Sequence, residues 1–311
     1  MLKNHEGTLK QDLQKLRRMS HRIVKNGSIT PCYDKLAVLI EDLVNSPSED
    51  HIIISSDKLN FQSKIALTLL FGCVNYCYVN PIDQKEYKYN YDGIVLYRSS
   101  AFVNALINSG LDWSNFNLIS NLTYEEWSRL LQLSDDNTLY NADVRFDTIK
   151  TFAKYLSHVD LNNFYDIYDS FEDVYQLLVS SGLFNDLFLK RIQISLSMID
   201  QLAKRYHVEF SSEIKLSAMA DYRLPQVLYN YGVLHINEEL KDKLVSHSPI
   251  ISGDSSEVEL RAWTVIICEI IAKKLNISES QVDGMIWNLS QKLIIKNEQL
   301  IPAMLVMTDS Y

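Results

Sequence analysis

Apolar residues recur every three or four positions through most of the chain. The first such stretch, residues 9–24, sets Leu9, Leu13, Leu16 and Ile23 among basic neighbours, a spacing that predicts a surface helix. Residues 33–45 repeat it through Leu36, Leu39, Ile40 and Leu43, ending near Pro47, and residues 61–72 read as helical. Ile65–Tyr78 is the most apolar stretch, too short and too interrupted by polar residues to span a membrane, and is expected in the core. His51–Ser55 fits a short extended segment. Residues 74–80 and 86–98 alternate aromatic with polar residues, which predicts a small antiparallel sheet or hairpin turning at Asp92-Gly93.

From residue 99 onward the period is helical. Helices are predicted over 99–109, 123–132, 145–156, 171–180, 186–206, 224–231, 237–246, 256–275 and 279–293. Thr123 with Glu126, and Ser278 with Gln281, have capping-box spacing. Gly110, Gly182 and Gly232 stand where helices should stop. No repeat, low-complexity tract or linker interrupts the chain. The expectation is a mainly α protein forming one domain over 1–311, with a minor β-containing region at 51–98 and a helical core at 186–293.

Composition narrows the function classes. With 311 residues, 47% hydrophobic, the chain can bury a substantial core, and few Gly (9) and Pro (6) disfavour a loop-rich sandwich or barrel. A net charge of −9 argues against broad binding to tRNA or DNA, where cation–phosphate contacts supply most of the affinity. A small nucleotide needs only a few convergent cations and stays open. The four cysteines (32, 73, 77 and 268) lack CxxC spacing, and no secretory signal is visible, so a reducing, cytosolic setting is expected. No histidine or cysteine spacing marks a metal site, and no glycine-rich phosphate loop or dinucleotide fingerprint occurs. Neither metal nor cofactor is expected, and no membrane span.

The most informative stretch is Ala218-Met-Ala-Asp-Tyr-Arg-Leu-Pro-Gln-Val227, where a carboxylate, a phenol and a guanidinium stand together before Pro225. Pro225 suits the first turn of a helix, which places Asp221, Tyr222 and Arg223 at or just before a helix N-terminus. Outward-pointing N–H groups there favour negative charge, either that of an anionic ligand or that of Asp221 itself. The plain alternative is that Asp221 caps the helix. Asp283 and Trp287, four apart, share a helical face that can present an acceptor beside a stacking ring, or can be a surface aspartate beside a half-buried indole. Glu257 and Arg261 have the spacing of an ordinary i,i+4 pair.

Several of these segments together resemble the queuosine salvage proteins, the N-glycosidases that release queuine from queuosine 5′-phosphate. The likeness runs through Ala220–Leu228 with Tyr231-Gly-Val-Leu234, and through Gly253-Asp-Ser-Ser-Glu-Val-Glu-Leu-Arg261. It continues in Val282-Asp-Gly-Met-Ile-Trp287 and Lys190-Arg-Ile-Gln193. It is strongest over about 188–290. In the N-terminal half the family's L-N-F-x-F-W is met by Val74-Asn-Tyr-Cys-Tyr-Val79, an expected aspartate is Gly72, and a G-Y-W element is met by Val95-Leu-Tyr97. A P-x-H-R pattern reads Pro302-Ala-Met-Leu305, with Tyr311 in place.

The resemblance implies a glycosylase-like helical fold, a small-molecule nucleotide as partner, and cleavage of its N-glycosidic bond. It implies Asp221 and Asp283 as catalytic carboxylates, leaving open which of them activates water. Lys190 and Arg223 are expected as phosphate contacts, with Arg191 a further candidate. Asn75, Tyr76, Tyr78 and Tyr97 either form an aromatic wall for the base or serve in the core or on the sheet surface, and Tyr222, Trp287 and Glu259 are expected as substrate contacts. The N-terminal departures leave room for a different modified nucleotide, or for a relative that binds a nucleotide without cleaving it. A helical adaptor is a third class and would need a large exposed apolar patch. Oligomeric state is not legible in the sequence.

Overall fold

A computed structural model of the chain describes residues 7–45, 54, 56–211, 215–296, 300–309 and 311. The fold is mainly α, and among the described residues the strands form short two-stranded pairings only. Where the hydrophobic pattern predicts one domain, the contacts group the residues into two compact units. One comprises the described residues within 52–214 with 309 and 311, and the other those within 7–51 and 215–308.

The first unit is built on the helix Phe61–Cys73, whose residues from Ser63 onward are all buried. Asn60 caps it, its side chain accepting from Ser63 N at 2.7 Å. It packs against the helices Lys190–Arg205 and Ala142–Leu156. Beside it the Phe102 ring meets Phe71, Tyr78, Tyr87 and Trp127 in tilted and edge-on contacts. The predicted hairpin forms from Lys88–Tyr91 and Ile94–Tyr97, turning at Asp92 and Gly93, both at positive φ. Residues 74–80 are not a strand; apart from one isolated bridge, Val79 to Glu86, the stretch is irregular, and the carbonyls of Val74, Asn75, Tyr76 and Cys77 accept from side chains. The extended segment expected at 51–55 falls mostly outside the described residues.

Gly72 explains one departure from the family pattern. A Cβ there would lie 2.0 Å from the Ser195 hydroxyl and 3.0 Å from its Cβ, so the two helices approach too closely for a side chain. Gly72→Ala should cost about 1–3 kcal/mol, as overpacking does in a filled core. Ser195→Ala in the same chain should restore part of it, and chemical denaturation of the three variants tests this.

The second unit centres on the helix Ser255–Leu275, which packs against Leu9–Lys25, Arg223–Asn230 and Glu279–Lys296. Capping boxes close at Thr8 with Gln11 and, as predicted, at Ser278 with Gln281. Thr30–Pro31 pairs antiparallel with Leu234–His235. Ile250–Ile251 pairs parallel with Val306–Met307, so the β content is not wholly antiparallel. Among the described residues no helix is long and apolar enough to cross a membrane.

Candidate active site

In the second unit, residues 216–220 run buried and without regular secondary structure into Asp221, and two helices fix their backbone and side chains. Glu279 and Asp283, one turn apart, grip alternate residues. The Ser217 hydroxyl donates to Glu279 Oε2 at 2.7 Å, and Met219 N donates to Asp283 Oδ1 at 2.8 Å. From the helix Ser255–Leu275, Arg261 Nε donates to Ala220 O at 2.9 Å. Asp221 Oδ1 then accepts from Arg223 N at 2.7 Å and Leu224 N at 3.4 Å, at the start of the helix Arg223–Asn230. One oxygen therefore does cap the helix, as the plain alternative holds. The other oxygen of this half-buried carboxylate has no partner among the described residues. Capping thus orients the acid and leaves half of it available.

Arg261 is itself held. Its Nη1 lies 3.2 Å from Glu257 Oε1, with the side chains only 3% and 1% exposed, and Glu257 Oε2 accepts from Gly253 N at 2.9 Å. The spacing predicts an ordinary i,i+4 pair; burial makes it a different object, because a buried ion pair cannot lose one partner cheaply. Arg261→Met should destabilise by about 3–5 kcal/mol, and the double change with Glu257→Met should cost less, since no lone buried charge is left. Urea unfolding of the single and double variants reads the difference.

Glu259 is turned elsewhere. Its two oxygens accept from Ser28 N at 2.9 Å and Ile29 N at 2.7 Å, bracing the loop after the first helix. Asp283 is 3% exposed and Trp287 half-buried, four residues along the same helix. Arg223 is buried, its Nη1 3.1 Å from Gln226 Oε1 and its guanidinium 5.3 Å from the centre of the Tyr222 ring. Gln226 and Asn230 hold Ile301, whose N–H donates to Asn230 Oδ1 at 2.9 Å, and Tyr229 donates to Pro302 O. The segment carrying the family's P-x-H-R position is thereby docked on the helix after Asp221.

In the first unit, residues 73–78 are gripped by three buried cations. Lys190 Nζ donates to Asn75 O at 2.9 Å, and Arg191 Nη1 to Cys73 O. Arg145 reaches Val74, Tyr76 and Cys77 carbonyls and stacks 3.8 Å from the Tyr76 ring centre. Asp186 fixes the start of the Lys190–Arg205 helix, accepting from Lys190 N at 2.7 Å. Tyr78 donates to Asn75 Oδ1 at 3.1 Å, so Asn75, Tyr76 and Tyr78 form one cluster. Tyr97 is not part of it; it is exposed on the hairpin, beneath Lys88 Nζ at 5.7 Å. Arg145 and Asp186 escaped the sequence reading. The signal for Arg145 lies in its phase, since it shares the apolar face of Ala142, Phe146, Ile149 and Phe152.

The chain matches the family described as queuosine salvage protein over residues 55–307. A Sphaerobacter thermophilus protein named queuosine 5′-phosphate N-glycosylase/hydrolase is 36% identical over 84 residues, 25% of this chain and 26% of that protein. Proteins of the same name from Nematostella vectensis and Mus musculus are 42% and 36% identical, over 23% and 21% of this chain and 21% and 20% of their own lengths. The aligned stretches thus span about a fifth to a quarter of these relatives. The longer family match decides membership: the chain belongs to the queuosine salvage protein family.

Proposed function

We propose that this chain hydrolyses the N-glycosidic bond of queuosine 5′-phosphate, releasing queuine and ribose 5-phosphate. The observation that carries the reading is the clamped acid: Asp221 sits at a helix N-terminus with one oxygen fixed, at the end of a segment held by Asp283 and Arg261. The name of the aligned relatives supports the substrate.

Departure of the base leaves oxocarbenium-like charge on the ribose, and a fixed carboxylate stabilises it without reorganising. A 7-deazapurine lacks the ring nitrogen that normally takes up a proton as a purine leaves. More of the barrier reduction must then come from the sugar side. Asp221 faces that charge and directs the attacking water. Asp283 acts one step back, as a positioning residue holding Met219 N. Tyr222, Arg223 and Trp287 remain the substrate contacts we assign in this unit, and Glu259 serves as a loop brace. The setting is the cytosol, and the ligand is a free nucleotide rather than a nucleic acid.

Incubation with queuosine 5′-phosphate, followed by mass spectrometry, should yield queuine and ribose 5-phosphate in equal amounts. Intact nucleotide after long incubation would overturn the reading. Gly72, with no room for the aspartate seen in the family pattern, favours a second reading, a glycosidase for a different modified nucleotide. A panel of nucleosides and 5′-nucleotides scored for free base separates the two.

A further inference from the structure

Arg17 lies in the helix Leu9–Lys25, which precedes the family match at 55–307. Leu9, Leu13, Leu16 and Ser20 form the buried face of that helix, which packs on Ser255–Leu275. Arg17 stands beside Leu13 and Ser20 on the same stripe, so the packing of the helix fixes where its guanidinium reaches. It reaches Glu279. Nε donates to Glu279 Oε1 at 3.0 Å, and Nη2 lies 2.9 Å from the same oxygen, a two-pronged grip. These side chains are 27% and 12% exposed, whereas Lys15, which pairs with Asp12 on the same helix, is 63% exposed.

The grip on one oxygen sets the direction of the other. Glu279 Oε2 accepts from the Ser217 hydroxyl at 2.7 Å, and Ser217 is fully buried, four residues before Asp221. A free glutamate samples many rotamers; held by Arg17 on one side, it keeps one orientation toward Ser217. Arg17, Glu279 and Ser217 thus form a chain of contacts within the second unit that ends on the segment carrying the acid. As an ion pair the link contributes little to stability, because solvent screens partly exposed pairs. Its leverage is on position, since an error of about 1 Å at a reacting group costs on the order of a hundredfold in rate.

We propose that Arg17 is a positioning residue for the hydrolysis, acting through Glu279 and Ser217 on the placement of Asp221, a role that rests on the reading of Asp221 as the acid of glycosidic cleavage.

Arg17→Met should lower single-turnover cleavage of queuosine 5′-phosphate about tenfold, the scale of a slightly misplaced group. The Kd of the nucleotide should change by less than about threefold, because the loss falls on the transition state. The Tm should fall by less than about 3 °C, as for any partly exposed pair. Arg17→Lys keeps a charge within reach of Glu279 and should regain most of the rate. Ser217→Ala should match Arg17→Met, and the double variant should be no slower than either, because links in series fail once. Lys15→Met, on the same helix, should leave the rate unchanged. Hydrogen–deuterium exchange of the peptide 216–222 gives a second readout that needs no turnover. It should be faster in Arg17→Met and Ser217→Ala than in the unaltered protein or Lys15→Met. An unchanged rate in Arg17→Met, an equal loss in Lys15→Met, no recovery in Arg17→Lys, additive losses in the double variant, or unchanged exchange would each overturn the proposal. Intact nucleotide with the unaltered protein would instead overturn the cleavage reading, while the exchange rates still decide whether Arg17 holds the segment.

Discussion

Asp221→Asn should lower single-turnover cleavage of queuosine 5′-phosphate about a thousandfold while changing the nucleotide's Kd by less than about threefold. The carboxylate's work lies in the transition state, where the sugar carries positive charge that the ground state lacks. Removing an interaction made only there lowers kcat and kcat/KM together and spares binding. A thousandfold corresponds to about 4 kcal/mol of transition-state stabilisation, the scale of one preorganised electrostatic contact. The amide keeps the oxygen that accepts from Arg223 N and Leu224 N, so the helix start is preserved and the variant should melt within a few degrees of the parent. Quench-flow with mass spectrometry gives the rate, and calorimetric titration gives the affinity. Equal turnover would remove Asp221 from the mechanism; equal loss of affinity would make it a binding residue.

The second large effect is on stability. Arg145→Met should destabilise the protein by about 3–5 kcal/mol, the cost of breaking a buried charged network. Methionine fills much the same volume, so the loss is not one of packing. It arises because the carbonyls of Val74, Tyr76 and Cys77 lose their donors in a place water does not reach. Arg145 also donates to Tyr140 O at 3.0 Å, so a single side chain ties the turn before its own helix to the irregular segment after Cys73. Guanidinium unfolding followed by tryptophan fluorescence reads the change. Trp113 and Trp127 both lie in this unit, fully buried, and report on it. A loss below about 1 kcal/mol would show that the carbonyls find other donors.

What was legible in the sequence follows from how local each signal is. The helices could be read because their apolar spacing, caps and glycine stops are all contained within one element. Thr123 with Glu126 closes as the spacing predicts, and Gly110, Gly182 and Gly232 all adopt positive φ. The helices Phe116–Ser120 and Phe164–Ile167 were missed because one turn is too short to display a period. Residues 74–80 were misread for another reason. Alternation of aromatic and polar residues suggests a strand when partners are assumed to be strands, yet here the carbonyl partners include Arg145 and Lys190, the latter 115 residues from Asn75. The pairing of Ile250–Ile251 with Val306–Met307 is equally non-local.

The site was legible in its residues rather than in its wiring. Asp221, Asp283 and Arg261 were all singled out by motif. That Asp283 and Arg261 converge on Met219 and Ala220 depends on packing two helices around one irregular segment, which no spacing encodes. Glu257 with Arg261 shows the same limit, since i,i+4 geometry is identical for a solvated pair and for one buried against the core.

The most direct test of the account is the isotope effect of deuterium at C1′ of queuosine 5′-phosphate under single-turnover conditions. A sugar that becomes oxocarbenium-like opposite Asp221 predicts a normal effect, with the protium substrate cleaved measurably faster. An isotope effect of unity or below, with queuine still formed, would contradict it.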